Sequence, residues 1–362
     1  MPDASTDTLL RISRPSFRVG GQDDATLAGG LLSLAITENV QGLYACEATF
    51  GNLGPKDGNH GADFLYFDRR SLDFGKAFEV KFGDDSIFDG RISALEAHFP
   101  DGGAPPSITA FAEDRFQDLR MTRRTVTFSD VGDADVIRQI AGQHGLSADV
   151  SVDGPTYKVL AQLNQSDLGF LRERARAVDA ELWVEGTTLH AKKRSDRGTT
   201  TVTLGMHNEL QELDVRADLA GQRSSVTVSG WDVAGKSGLT EDASDSAVQS
   251  ELGGDTSGAS ILRSANFGER KEALVHTVPL SQSEARARAE SYFRAGARRF
   301  VVARGVAQAD ARLRVGAKID IRAAGPLFSG NYYLVEVRHT FEGGRGLRTE
   351  FVAERPGIGA AA

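Results

Sequence analysis

The segment 78–115 repeats in the segment 319–355, and this internal repeat constrains the fold more than any other feature of the 362 residues. Phe78-Glu79-Val80-Lys81 aligns with Ile319-Asp320-Ile321-Arg322. After a one-residue difference in length, Phe88-Asp89-Gly90 aligns with Phe328-Ser329-Gly330. A constant separation of 240 residues then relates Glu96 to Glu336, Phe111 to Phe351, Asp114 to Glu354 and Arg115 to Arg355. Two meanders that merely share strand alternation are the alternative. Alternation alone supplies neither a Phe-x-Gly turn nor a terminal acidic-Arg pair. The repeat therefore reads as a duplicated β-barrel-like unit, one copy at each end of the chain. Two copies so far apart exclude a solenoid. In a closed ring the contacts between such chains would be heterologous, and three chains would present six similar barrels about one axis.

The length predicts roughly two to three domains. Forty glycines against ten prolines fit a turn-rich β chain. A net charge of −8, from 42 basic and 50 acidic residues, argues against a dedicated nucleic-acid reader. Cys46 is the single cysteine, which excludes an internal disulfide and Cys-rich zinc motifs. Apolar runs such as Leu31 to Ile36 are far too short to span a bilayer. The first twenty residues lack a basic-then-apolar leader, so synthesis and folding in the cytoplasm are expected.

Short β-compatible runs fill the first third: Leu9 to Val19, Leu31 to Ile36, Leu43 to Phe50, Ala77 to Phe82, Gly90 to Phe99 and Ile108 to Ala112. Gly51 to Gly61 reads as a loop. A helix is predicted from Asp133, with Val136, Ile137, Ile140 and Ala141 on its apolar face and Gly145 at its end. A second follows Asn164, with Leu168, Leu171, Ala175 and Val178 at helical spacing. Leu182 to Val184 and Thr188 to Ala191 form a hairpin through Glu185-Gly186. Strands return at Thr200 to Leu204, Glu209 to Ala217 and Ser224 to Ser229. Residues 236–262 carry four Gly, six Ser, one Lys and five acids, the composition of a flexible, acidic, solvated loop. Ser281 and Glu284 form a capping box for a helix with Ala285, Ala289, Tyr292/Phe293 and Gly296 on one face. Strands run from Phe300 to Ala353. The expected fold is mainly β with an α+β insertion. Its divisions are a first β-barrel domain over 1–116, an α+β domain over 117–199, a second β-barrel domain over 200–356 and a C-terminal tail over 357–362.

Three stretches carry a family resemblance. One is Asn164-Gln165-Ser166-Asp167-Leu168-Gly169-Phe170-Leu171-Arg172, followed by Glu181-Leu182-Trp183-Val184 and Leu189-His190. The second is Val226-Thr227-Val228-Ser229-Gly230-Trp231-Asp232. The third is Phe328-Ser329-Gly330-Asn331-Tyr332-Tyr333-Leu334-Val335 with His339 and Phe351. With the two-copy arrangement, they resemble the late control gene D family, the baseplate hub proteins of contractile phage tails. The first part of the VgrG spike proteins of contractile injection systems is related to that family. The resemblance implies a homotrimeric, non-enzymatic hub that adapts a hexameric inner tube to a trimeric spike and contacts other baseplate proteins. DNA or protein cargo would pass through its channel, and the chain would end up in an assembled particle, a virion or an injection system. VgrG proteins continue into an OB-fold and a β-helical needle. This chain stops at Pro356-Gly357-Ile358-Gly359, so the spike is expected to be a separate polypeptide.

Gly230-Trp231-Asp232-Val233-Ala234-Gly235-Lys236-Ser237 fits the P-loop pattern letter for letter and follows a strand, but no apolar helical stripe follows it to hold a phosphate. The histidines His60, His98, His144, His190, His207, His276 and His339 show no metal-ligand spacing. No nucleophile elbow is present, although a Ser-His-Asp site is set by geometry rather than order. Arg286, Arg288, Arg294, Arg298 and Arg299 gather on or beyond one helix. They read as a solvated face paired with Glu284 and Glu290, or as a patch for acidic neighbours or nucleic acid. Trp183 and Trp231 read as packing residues. No catalytic, cofactor or metal residue is assigned. Two further readings stay open beside the hub: a P-loop nucleotide-binding enzyme using Gly230–Ser237, and a monomeric β-rich binding module.

Overall fold

The computed structural model describes residues 14–55, 61–198, 200–206, 208–233, 235–265 and 267–359. His60, His207 and the start of the expected Leu9 to Val19 strand lie outside these residues; the described part of that strand is Ser16–Val19. The expected loop at 51–61 contains the strand Leu53–Pro55, which pairs with Ala62–Phe64.

The chain is mostly β, and thirteen of its strands form one sheet. The strand order of that sheet contains one pattern written twice. In the first unit the neighbours run Leu31–Asn39, Ala45–Gly51, Ser107–Glu113, Asp85–His98, Ala77–Phe82 and Ser16–Val19. In the second they run Leu210–Ala217, Val301–Gln308, Gly346–Arg355, Gly330–Glu342, Lys318–Arg322 and Thr201–Gly205. The bulges repeat too: Leu31/Ser33 matches Leu210/Glu212, and Ile92/Ala94 matches Leu334/Glu336. The last strand breaks the likeness, since Ser16–Val19 joins antiparallel and Thr201–Gly205 parallel.

Two expectations are corrected here. The units are not closed barrels among the described residues. Leu31–Asn39 does not return to its own unit but pairs with Gly330–Glu342 of the other, from Asn39 opposite Glu336 to Ser33 opposite Glu342. The result is two halves of one open sheet. The constant separation of 240 is also not the structural register. The bulges equate Ala94, not Glu96, with Glu336, and Phe111 with Val352 rather than Phe351. Phe88 faces Val80 and Gly330 faces Ile321, so Phe88 corresponds to Gly330, while Phe328 ends a short helix. Loops of unequal length shift each strand separately, and a one-residue slip exchanges the faces. Phe111 is accordingly half-buried where Phe351 is buried.

Because the seam joins the halves, Phe341 and Leu347 of the second unit complete the core of the first, among Leu34, Ile36, Phe50 and Phe78. The middle region has its own core. Its helices Asp133–Gln143 and Asp167–Ala177 bury the predicted faces, Val136, Ile137, Ile140 and Ala141 on one and Leu168, Leu171 and Ala175 on the other. They pack beside the predicted hairpin Ala180–Glu185/Thr188–Lys193 and an unpredicted ribbon, Arg123–Gly132 with Thr156–Ser166. At Gly42 the first unit meets this region so closely that a Cβ would lie 2.5 Å from the Phe116 ring and 2.8 Å from the Leu182 carbonyl, and φ is +68°.

The segment 236–262, expected as a flexible acidic loop, is folded. It forms the strand Ser237–Ala243, the 3₁₀ helix Asp245–Glu251 and the helix Gly258–Ser264. Its polar residues bond each other: Asp245 accepts from Ser257 Oγ at 2.9 Å and Ser260 Oγ at 3.0 Å, while Val248, Ala259 and Leu262 are buried. With Ser225–Asp232, Lys271–Leu274 and the predicted helix Gln282–Ala297 it builds a further small core around Val226, Val228, Ala285 and Phe293. The expected tail begins as a strand, Gly357–Ile358, paired with Thr256–Ser257.

Candidate functional site

The P-loop reading is overturned by geometry. The described residues of the motif lie on a β-hairpin, with Gly230 opposite Leu239, Trp231 opposite Gly238 and Asp232 opposite Ser237, while Ala234 lies outside the described residues. The Gly235 amide donates to Asp232 Oδ1 at 2.9 Å, and a strand follows where a phosphate-holding helix is required. Gly230 is small for another reason: a Cβ there would stand 2.2 Å from the Pro279 carbonyl oxygen. Trp231, at the hairpin, is exposed, whereas Trp183 is buried.

The Ser166-Asp167 pair of the sequence motif is an anchoring device. Ser166 Oγ caps its helix by accepting from the Gly169 amide at 3.1 Å. Asp167, fully buried, accepts from Gln162 Nε2 at 2.8 Å and Arg124 Nε at 2.9 Å, and lies 2.7 Å from His144 Nε2. The helix at Asp133 is tied the same way, to Arg174 Nε at 2.6 Å and the Tyr157 hydroxyl at 3.1 Å. Each carboxylate sits where the helix dipole favours a negative charge. His144–Asp167 has the acid–base half of a triad, but among the described residues no hydroxyl is bonded to His144. His190 stacks on Trp183, ring centroids 4.8 Å apart, and bonds Asp149 at 3.0 Å. His98 and His276 are exposed, and His339 is buried against Thr349 Oγ1 at 3.0 Å. Among the described residues no three His, Cys, Asp or Glu side chains are grouped to hold a metal.

The arginines of helix 282–297 divide. Arg286 is exposed and pairs with Glu241, whereas Arg288, on buried Glu284, and Arg294, on Glu290 and Asp179, are half-buried, so the expected solvated face holds for Arg286 alone of the three. Arg298 instead is buried between Asp179 of the middle region and Glu251 of the insert, and acts as a tie between them.

The most concentrated chemistry is an ionic junction where both β units meet the middle region. Glu181, on the strand Ala180–Glu185, accepts from Arg194 Nε at 3.2 Å, Arg197 Nη1 at 2.8 Å and the Tyr333 hydroxyl at 2.6 Å. Both arginines come from the short helix Arg194–Arg197. Arg197 also reaches the Tyr44 hydroxyl of the first unit and lies over the Trp183 ring, 4.4 Å from its centroid. Arg194 lies over Tyr333 and pairs with Glu354 at 3.3 Å, both in the second unit. Burial pushes the Glu181 carboxyl up, but Arg194 and Arg197 more than offset it and hold it below the ordinary value. A cavity of about 530 Å³ beside the junction is lined by Glu38, Tyr44, Asp114, Trp183, Arg197 and Arg314. Glu38, raised by burial against the opposing pull of Arg314, bonds Arg314 and the Val315 amide. Burial pushes Asp114 to about 7, although the Tyr44 and Phe116 amides donate to it.

These groups neutralise one another, and what the arrangement does is fix the three regions together. Sequence reading missed it. The available signal was Glu181 directly before the apolar run Leu182-Trp183-Val184, a charge that burial forbids unless it is paired.

The whole fold has counterparts. The chain superposes on a prophage MuSo2 43 kDa tail protein from Shewanella oneidensis with a TM-score of 0.70, at 13% identity, covering 95% of this chain and 98% of that one. A tail protein from Neisseria meningitidis gives 0.67 at 13% identity, covering 95% and 97%. An E. coli protein described as a component of the type VI secretion system, with structural similarity to T4 bacteriophage tail proteins, gives 0.58 at 11% identity, covering 92% and 76%. The fold is thus one found in tail proteins. Residues 45–343 match the family model described as the Alg8 N-terminal domain, and the chain belongs to that family. The model that matches is therefore not that of the late control gene D family. No curated protein sequence matches.

Proposed function

We propose that the chain is a structural, non-enzymatic baseplate component of a contractile tail or phage-derived injection system. In this reading three copies form a hub joining a hexameric inner tube to a separate trimeric spike, beside other baseplate proteins and around a channel for DNA or protein cargo. The supporting observation is the fold: the likeness to tail proteins spans nearly the whole chain, including both copies of the duplicated strand pattern. A ring of three such chains offers six related faces, which is what a junction between sixfold and threefold partners needs. Within it, 1–116, 117–199 and 200–356 act as first β unit, middle unit and second β unit. The test is absolute mass in solution by light scattering after size exclusion. A mass of about 116 kDa, three times the 38.8 kDa chain, is expected, alone or with the spike partner. A chain that stays at one copy in both conditions sinks the hub reading.

A further inference from the structure

The duplication leaves two sheet edges open and also specifies what fits them. Inside the chain, Leu31–Asn39 pairs with the second half of Gly330–Glu342, placing Glu38 opposite Val337, Ile36 opposite His339 and Leu34 opposite Phe341. The counterparts of these strands in the repeated pattern are Leu210–Ala217 and Asp85–His98. The shared bulges fix the correspondence residue by residue. Leu34 and Ile36 become Leu213 and Val215, and Val337, His339 and Phe341 become Leu95, Ala97 and Phe99.

Among the described residues, neither counterpart edge has a strand along it. Leu210–Ala217 ends the sheet, bonded to Val301–Gln308 and, through Leu210, bridged to Met206. Residues 94–98 pair with Ser107–Glu113 on one side, while on the other Ala77–Phe82 stops at Arg91. The consequence is visible at equivalent positions: Phe341 is fully buried, and Phe99 is 63% exposed.

We infer that Leu210–Ala217 of one copy adds antiparallel to the 94–98 edge of a second copy, reproducing between chains the seam found within the chain. The transferred register sets Leu95 against Ala217, Glu96 against Arg216, Ala97 against Val215, His98 against Asp214 and Phe99 against Leu213. Backbone correspondence alone fixed this register, yet the side chains agree with it. Apolar residues meet on the face that is buried in the internal seam, and Glu96–Arg216 and His98–Asp214 meet on the other. A slip of two residues, the smallest that keeps the faces, would set Glu96 against Asp214 or Asp218, like against like. Glu96 has no ion-pair partner in its own chain among the described residues, and Arg216 has Asp218, two positions along. Open edges of this kind associate unless something covers them. Each copy carries one edge of each sort, so the contact is heterologous; only the number of copies that close a ring rests on the hub reading.

Two full-length single-site variants, Glu96→Cys and Arg216→Cys, test the pairing when mixed and treated with a short bismaleimide. Cys46 is buried and stays in place. Linked pairs are expected in the mixture and not in either variant alone. Arg216→Glu should weaken self-association about tenfold or more, and adding Glu96→Arg should restore it. Both sites are exposed, and an unchanged circular dichroism spectrum separates lost association from lost folding. No linked pair in the mixture overturns the inference, and if the mass is still that of three copies the hub reading survives it. Linked pairs in an assembly of another size would uphold the pairing and sink the trimer.

Discussion

The two β units share six strand positions and two bulges, but they are finished differently. In the first, residues 40–44 connect the first two strands of the pattern; in the second, residues 218–300 do so and enclose a core of their own. Loop-closure entropy rises only slowly with length, so a self-supporting insertion is tolerated there. The seam differs as well. The first unit borrows Phe341 from the second to complete its core, while Phe99, at the matching position, is left exposed. One backbone pattern can therefore serve as internal joint at one place and open edge at the other.

The largest effect expected is at the ionic junction, the point both units share. Arg197→Ala removes one of the two arginines that hold buried Glu181, together with the contacts to Tyr44 and the Trp183 ring, and should cost about 3–5 kcal/mol in urea unfolding. A loss under about 1 kcal/mol would mean that the sheet seam alone holds the units. The equivalent phenylalanines come next. Phe341→Ala should cost about 3–5 kcal/mol by leaving a cavity in the first core. Phe99→Ala, which loses only surface ring contacts to Phe64 and Phe67, should change the stability of the dissociated chain by about 1 kcal/mol or less. Equal losses would break the comparison between seam and edge.

The units should also respond to pH with opposite signs. His339, in the second, is driven down to about 3 by burial, with Arg314 adding to the effect. Its unfolded form binds a proton near 6.5, so the stability it allows is lost as pH falls from there toward 3. Asp114, in the first, is raised from 3.8 to about 7, so its folded form prefers the proton and stability is lost as pH rises across that window. His339→Gln should flatten the acid side of a melting profile and Asp114→Asn the side toward neutrality. Unchanged slopes in both variants would show that other groups set the profile.

Periodicity made the middle helices legible, because Val136, Ile137 and Ile140 or Leu168 and Leu171 can be buried together only on a helix. The duplication was legible as well, although its register was not, since loops of unequal length hide from a single separation. The folding of 236–262 was hidden for another reason. Serines and acids read as solvated unless their partners are known, and Ser257, Ser260 and Asp245 are partners of one another. The junction lay beyond the sequence because Tyr44, Glu181, Arg197 and Tyr333 come from distant segments that only the assembled sheet brings together.

The insert, which the first unit lacks, offers the smallest and sharpest contrast. Its hairpin carries every letter of a P-loop, so two substitutions that would both abolish phosphate binding should behave differently here. Gly230→Ala pushes a methyl group into the Pro279 carbonyl and should cost about 1–3 kcal/mol. Lys236→Ala removes an exposed side chain from the turn and should change stability by less than about 0.5 kcal/mol. Saturating Mg-ATP should leave the melting temperature of the unaltered chain where it was, because a ligand specific for the native state would raise it. A raised melting temperature, abolished by Lys236→Ala, would show that the hairpin binds nucleotide after all. The cost of Gly230→Ala would then have to be measured again with nucleotide bound.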